Sequence, residues 1–167
     1  MTACDICLHL ALSRGMDMLY PFDKRNVTRE DFLKFGKIMK PYLRPRISGI
    51  DTLDIYLEGI ARYWKDMGVT NLTAEGFDGS RPLEEAKAFI RGQIEKNMPI
   101  PCLILRHKDP GLKDFVWHWF NLAGYQEYED IFLVKVVSYG EIYWFDFANL
   151  WDTGHRRKGG MIAIGEV

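Results

Sequence analysis

Cys4, Cys7 and Cys102 supply the chain's thiols, and His118 lies between Trp117 and Trp119 in the run FVWHWFNLAGY, Phe115 to Tyr125. A thiol in the first turn of a helix is made more acidic by the aligned backbone dipoles. A neighbouring imidazole can take its proton and later return it to a leaving amine. That chemistry needs a cysteine at a helix start and a histidine brought to it from elsewhere, and Cys4 and His118 are of those types. Other chemistries lack their parts. The four histidines are scattered, and Cys4 and Cys7 form a C-x-x-C with no second pair and no nearby histidine pair, so no metal is expected. The strand-helix-strand setting of a redox C-x-x-C is missing too. Neither glycine-rich phosphate pattern occurs, so no cofactor is expected either.

The elements that must position these residues run helices first, strands last. TACDICLHLALSRG reads as a helix from Thr2, with Thr2 as N-cap, Asp5 as its capping-box partner and Gly15 as the stop. Its polar stripe is only Asp5, His9 and Ser13, so it belongs at the centre of a core. A second helix is capped by Thr28 with Asp31, buries Phe32, Phe35 and Met39, and ends or kinks at Pro41. A third carries Leu53, Tyr56, Leu57, Ile60, Tyr63, Trp64 and Met67 at helical spacing and closes on Gly68. After a short edge strand in VTNLTAEG, a fourth follows Ser80 as cap and Pro82, with Leu83, Ala86, Phe89, Ile90 and Ile94 inward.

Beyond Met98 the pattern becomes strand-like. PIPCLILRH suits a buried strand, and DFVWHWFNLAGY, DIFLVKVVS, EIYWFDFANLW and GGMIAIGEV read as four more, with a turn at Tyr139-Gly140. Alternation along DFVWHWFNLAGY puts His118 on one face and Trp117 and Trp119 on the other. The expectation is a single α+β domain over residues 1–167, a helical N-terminal half packed on a C-terminal, mainly antiparallel sheet.

Bulk properties narrow the partners. At 167 residues, 47% hydrophobic and 14% aromatic, the chain can build a real core. A net charge of -1 gives no electrostatic reason to expect nucleic acid or an anionic membrane. No apolar run reaches a membrane span and no signal-like N-terminus is seen, which points to a soluble cytoplasmic protein.

The order of elements, with PIPCLIL, HWFNLAGY and SYG in succession, resembles the papain-like cysteine peptidases, above all their small bacterial branch related to bacteriocin-leader peptidases. In that branch an x-P-V-I strand precedes one that begins with H-W/Y/F-V and ends in G-Y, as Met98 to Leu105 and His118 to Tyr125 do here. Ser138, Tyr139 and Gly140 stand where relatives read S-W-G or T-W-G. The resemblance implies a thiol hydrolase acting on peptide or isopeptide bonds through an acyl-enzyme, with His118 as base and acid; the helix-start argument selects Cys4 as its nucleophile, and Asp146 is the candidate orienter of the imidazole. It departs at Val137, where relatives carry an asparagine, leaving Asp146 or Asn149 for that role. The nucleophile also stays open. Laying CDICLHL on C-G-S-C-W-A-F selects Cys7, and matching Thr2-Ala3 to the T-A of C-G-P-T-A puts it two residues before Met1. These departures predict weak or absent turnover, with a non-catalytic member that binds a peptide or protein partner as the alternative.

Overall fold

The first helix, α1 (Thr2–Ser13), buries Ala3, Cys4, Ile6, Cys7, Leu10 and Ala11, as its unbroken apolar surface requires. Its cap is Met1 rather than Thr2: the Met1 carbonyl accepts from the N–H groups of Cys4 at 2.8 Å and Asp5 at 3.1 Å. Thr2 is itself buried, as the first residue of the helix proper, and its side chain makes no capping bond. In α2 (Arg29–Leu43) the expected cap is present, Thr28 Oγ1 accepting from the Asp31 N–H at 3.1 Å. Pro41 does not stop this helix. It falls in the last turn, where a missing N–H costs a single bond, and the chain leaves at Arg44, whose φ is 43°.

Helix α3 (Leu53–Asp66) is capped by Thr52 and buries Tyr56, Ile60, Tyr63 and Trp64 at helical spacing. Gly59 lets it lie close on α2, because a Cβ there would stand 2.7 Å from Leu43 Cα. No helix of the structure is long and apolar enough to cross a membrane.

Strand β1 (Leu72–Asp78) leads to α4 (Leu83–Glu95), β2 (Ile100–Ile104), β3 (His118–Tyr128), β4 (Ile131–Ser138), β5 (Glu141–Asp146), α5 (Phe147–Trp151) and β6 (Gly160–Glu166). The six strands form one sheet in the order β1-β6-β2-β3-β4-β5, and the pairings β6-β2, β2-β3, β3-β4 and β4-β5 are antiparallel. The fold is therefore α+β with a largely antiparallel sheet. The computed structural model describes residues 1–167, and their contacts divide them into two units, Met1–Ala74 with Gly165–Val167, and Glu75–Ile164.

In the second unit one sheet face packs against α4 and α5. Ile100, Cys102, Ile104, Phe120, Leu122, Phe132, Val134 and Val136 meet Ala86, Ile90, Phe147 and Leu150 in one apolar cluster. Helix α4 starts after Pro82, not at Ser80, because the Asp78 carboxylate takes both the N–H and the hydroxyl of Ser80. The strand expected to run from Glu141 to Trp151 ends at Asp146, which caps α5 by accepting from the Ala148 N–H at 3.1 Å. Tyr139 and Gly140, at φ 51° and 80°, make the hairpin turn from β4 to β5. The register of β3 on β4 slips by one residue between Leu122 and Gly124, which leaves Ala123 as the extra residue.

Candidate functional site

His118 opens β3 and pairs with Ile104 of β2. Its face is set by alternation: Phe120 and Leu122, two and four residues on, belong to the apolar cluster, so His118 shares the side on which the helices pack. The ring stacks on Tyr139 with centroids 5.0 Å apart and 22° between planes, and Phe115 and Phe120 each lie 6.3 Å away. Ser138 Oγ and His118 Nε2 share a hydrogen bond of 2.7 Å. Burial among these rings pushes the imidazole pKa below its ordinary value, so the ring is neutral at pH 7.

This pairing follows from the sheet. Asn121 lies opposite Val137, so continuing the register sets Phe120 opposite Ser138 and His118 diagonal to it on the same face. Val137 points to the other face, whichever residue type stands there. The hydroxyl one position later therefore holds the imidazole, and Tyr139, turned by its positive φ, covers the ring. Ser138 is the site residue that sequence reading missed as a partner. The signal was the two-residue period of IFLVKVVS, which puts Ser138 with Val136 and Val134 on the inner face.

Asp146 is not near His118. It pairs with Leu133, which pairs with Gln126, eight positions along β3 from the histidine. At about 3.3 Å per residue that is roughly 25 Å of strand. Its carboxylate serves the start of α5 instead, which corrects its expected role as orienter. Asn149 is engaged elsewhere as well. Its amide donates to Asp109 at 2.7 Å, and its carbonyl accepts from Nε2 of His107 at 2.9 Å. His107 Nδ1 accepts from the Asp109 N–H at 2.9 Å, so these three residues fasten the loop after β2 to α5.

The thiols are all buried and all free of disulfides. Cys4 is 1% exposed, and burial pushes its pKa up to about 12, with the N-terminal amine only partly opposing that rise. Desolvation thus outweighs the helix start, and at neutral pH the sulfur is a protonated thiol. Burial also raises the thiol pKa values of Cys7 and Cys102, although the Trp64 indole opposes the rise at Cys7. No group of three or more His, Cys, Asp or Glu side chains gathers where it could hold a metal ion.

Trp117, expected to share a face with Trp119, stands outside β3 with φ 51° and its N–H bonded to the Leu105 carbonyl, so strand alternation does not govern it. Comparison of the chain with family models, with curated proteins and with solved structures found no match.

Proposed function

We propose that the chain is a papain-like domain that binds an extended peptide along the open edge of its sheet without cleaving it. The observation that carries this reading is β5. It is the last strand of the sheet, it pairs only with β4, and it exposes Ile142 and Trp144 at 58% and 44%. An edge of that kind offers unpaired backbone N–H and C=O groups to an added strand, and exposed apolar side chains to its residues.

Charge selects the occupant. Exposed Glu141 and Asp146 stand at the two ends of β5, so a peptide with apolar residues between basic ends is complementary to it. A second copy is not. Antiparallel pairing of β5 with itself would set Glu141 of one chain against Asp146 of the other, and like charges directly opposite each other are destabilising. The protonated state of Cys4 argues against hydrolysis, since the thiolate is the nucleophile.

The test is fluorescence polarisation with a labelled Lys-Val-Thr-Val-Thr-Lys peptide and its counterpart with glutamate at both ends. The basic peptide is expected to bind with Kd on the order of 10 to 100 μM, and the acidic one about tenfold more weakly. Trp144→Glu should weaken the basic peptide by a similar factor. Equal binding of both peptides, or none of either, removes the reading. Alkylation by iodoacetamide at pH 6 covers the rival: rapid labelling that vanishes in both Cys4→Ser and His118→Ala would restore the thiol hydrolase.

A further inference from the structure

A cavity of about 410 Å³ opens in the second unit, lined by Leu105, Arg106, Trp117, His155, Arg156 and Arg157. Three of the six are guanidinium side chains, one is an imidazole, and none is acidic. Arg106 and Arg156 have no carboxylate partner, whereas nearby Lys108 is paired with Asp152. Arg157 lies over the Trp117 indole, 5.5 Å from the ring centre. The volume falls within the range of small-molecule sites.

The backbone around the cavity is held in place. Trp117 keeps φ 51°, a conformation that bulky residues rarely adopt, and it leaves the indole 47% exposed at the rim. Strain of this kind persists only where surrounding structure enforces it, and it concentrates at ligand sites. The Leu105 carbonyl does so here by accepting the Trp117 N–H at 3.1 Å. Two residues before His155, buried Thr153 accepts from the Lys108 N–H at 2.8 Å through its carbonyl. Gly154, at φ 72°, then turns the chain so tightly against Lys108 that a Cβ would stand 2.7 Å from its side chain. His155, Arg156 and Arg157 follow that turn directly.

We propose that this cavity binds a phosphate monoester carried on a planar ring. The guanidinium groups of Arg106 and Arg156 take the phosphate oxygens, for which their planar forks are suited. The ring packs on the exposed part of the Trp117 indole, beside Arg157. Neither half of the ligand is sufficient: an inorganic anion lacks the stacking surface, and a neutral ring leaves two unpaired guanidiniums.

Isothermal titration calorimetry with adenosine monophosphate and with O-phosphotyrosine distinguishes a nucleotide from a phosphorylated aromatic side chain as the source of that chemistry. Inorganic phosphate, adenosine and tyrosine amide serve as the partial ligands. At least one ester is expected to bind with Kd below about 1 mM and about tenfold more tightly than any partial ligand. Arg106→Gln and Arg156→Gln should each weaken it about fivefold or more, and added salt should weaken it too. Trp117→Asn, whose side chain tolerates a positive φ, should reduce ester binding to the level of inorganic phosphate. Neither ester binding better than inorganic phosphate would overturn the proposal. So would unchanged ester binding in an Arg106→Gln, Arg156→Gln double variant whose thermal melt shows it folded.

Discussion

Ser138 Oγ lies 2.7 Å from Nε2 of His118, across the end of the β3-β4 ladder and beneath the Tyr139 ring. A half-buried imidazole with one nitrogen held by a hydroxyl is a fixed part of the sheet end rather than a swinging side chain. Ser138→Ala removes that bond. In urea melts it should cost about 1 kcal/mol, and the His118 ring signals in NMR should broaden or shift. A variant as stable as the parent, with His118 resonances unmoved, would contradict the bond.

The lowered His118 pKa makes a pH prediction of definite sign. Below the ordinary value of 6.5 the unfolded chain binds a proton that the folded chain still refuses. The stability tied to the neutral ring is therefore complete above that value and is lost as pH falls from it through the lower folded value. His118→Gln has no such titration. The unfolding free energy of the parent relative to this variant should drop between pH 7 and pH 5, and a flat or rising difference would reverse the assignment.

Asp146 separates two roles that sequence alone could not. As the α5 cap, its replacement by alanine should cost about 1 kcal/mol in thermal or urea unfolding. The NMR titration curve of His118 should stay where it was, because the two residues lie eight strand positions apart by register. A displaced curve would show that Asp146 acts on the imidazole after all.

Leu10 is wholly enclosed in α1, so Leu10→Ala should destabilise by roughly 2 to 5 kcal/mol. A loss under about half a kcal/mol in denaturant melts would mean that the site collapses around the smaller side chain.

Gly159 carries a stricter constraint. A Cβ there would stand 2.1 Å from the Leu103 carbonyl oxygen, a backbone atom of the adjoining strand that has no room to yield. Gly159→Ala should destabilise by more than about 2 kcal/mol, and amide exchange should quicken selectively at Met161 and Cys102, where β6 meets β2. Parent-like protection at those two amides would show that the strands accommodate the methyl group without parting.

Much of the framework was legible in the sequence, since period and caps are local properties. The Thr28-Asp31 cap, the buried α1 surface, the strand of Ile100 to Ile104 and the Tyr139-Gly140 turn all follow from short stretches of chain. The failures share a cause. Thr2, Ser80 and Pro41 carry local preferences that lost to context: Thr2 is buried inside the helix that Met1 caps, Ser80 is held by a carboxylate two residues back, and Pro41 falls where one missing N–H matters little. The site was harder to read because its geometry lies across strands. Which of Val137, Ser138, Asp146 and Asn149 meets His118 depends on register, and register is not written in any one strand. Thiol acidity was misjudged for a related reason: the helix start is visible in sequence, but the packing that buries Cys4 is not.

The slip at Ala123 also governs which length changes β3 can accept. Residues before it alternate in one parity, His118, Phe120 and Leu122 inward. After it the parity is reversed, so that Tyr125 and Glu127 also face inward, where they bond Glu95 and Arg91 of α4. Deleting Ala123 would leave His118 and Ser138 untouched and restore unbroken alternation, with Tyr125 and Glu127 still inward, whereas drawing Ala123 into the ladder would turn the distal half of the hairpin inside out and set Gln126 and Tyr128 against the helix. The strand therefore tolerates the loss of this residue but not its incorporation, because the bulge holds it outside the ladder and so keeps the imidazole's neighbourhood in phase with the contacts to α4.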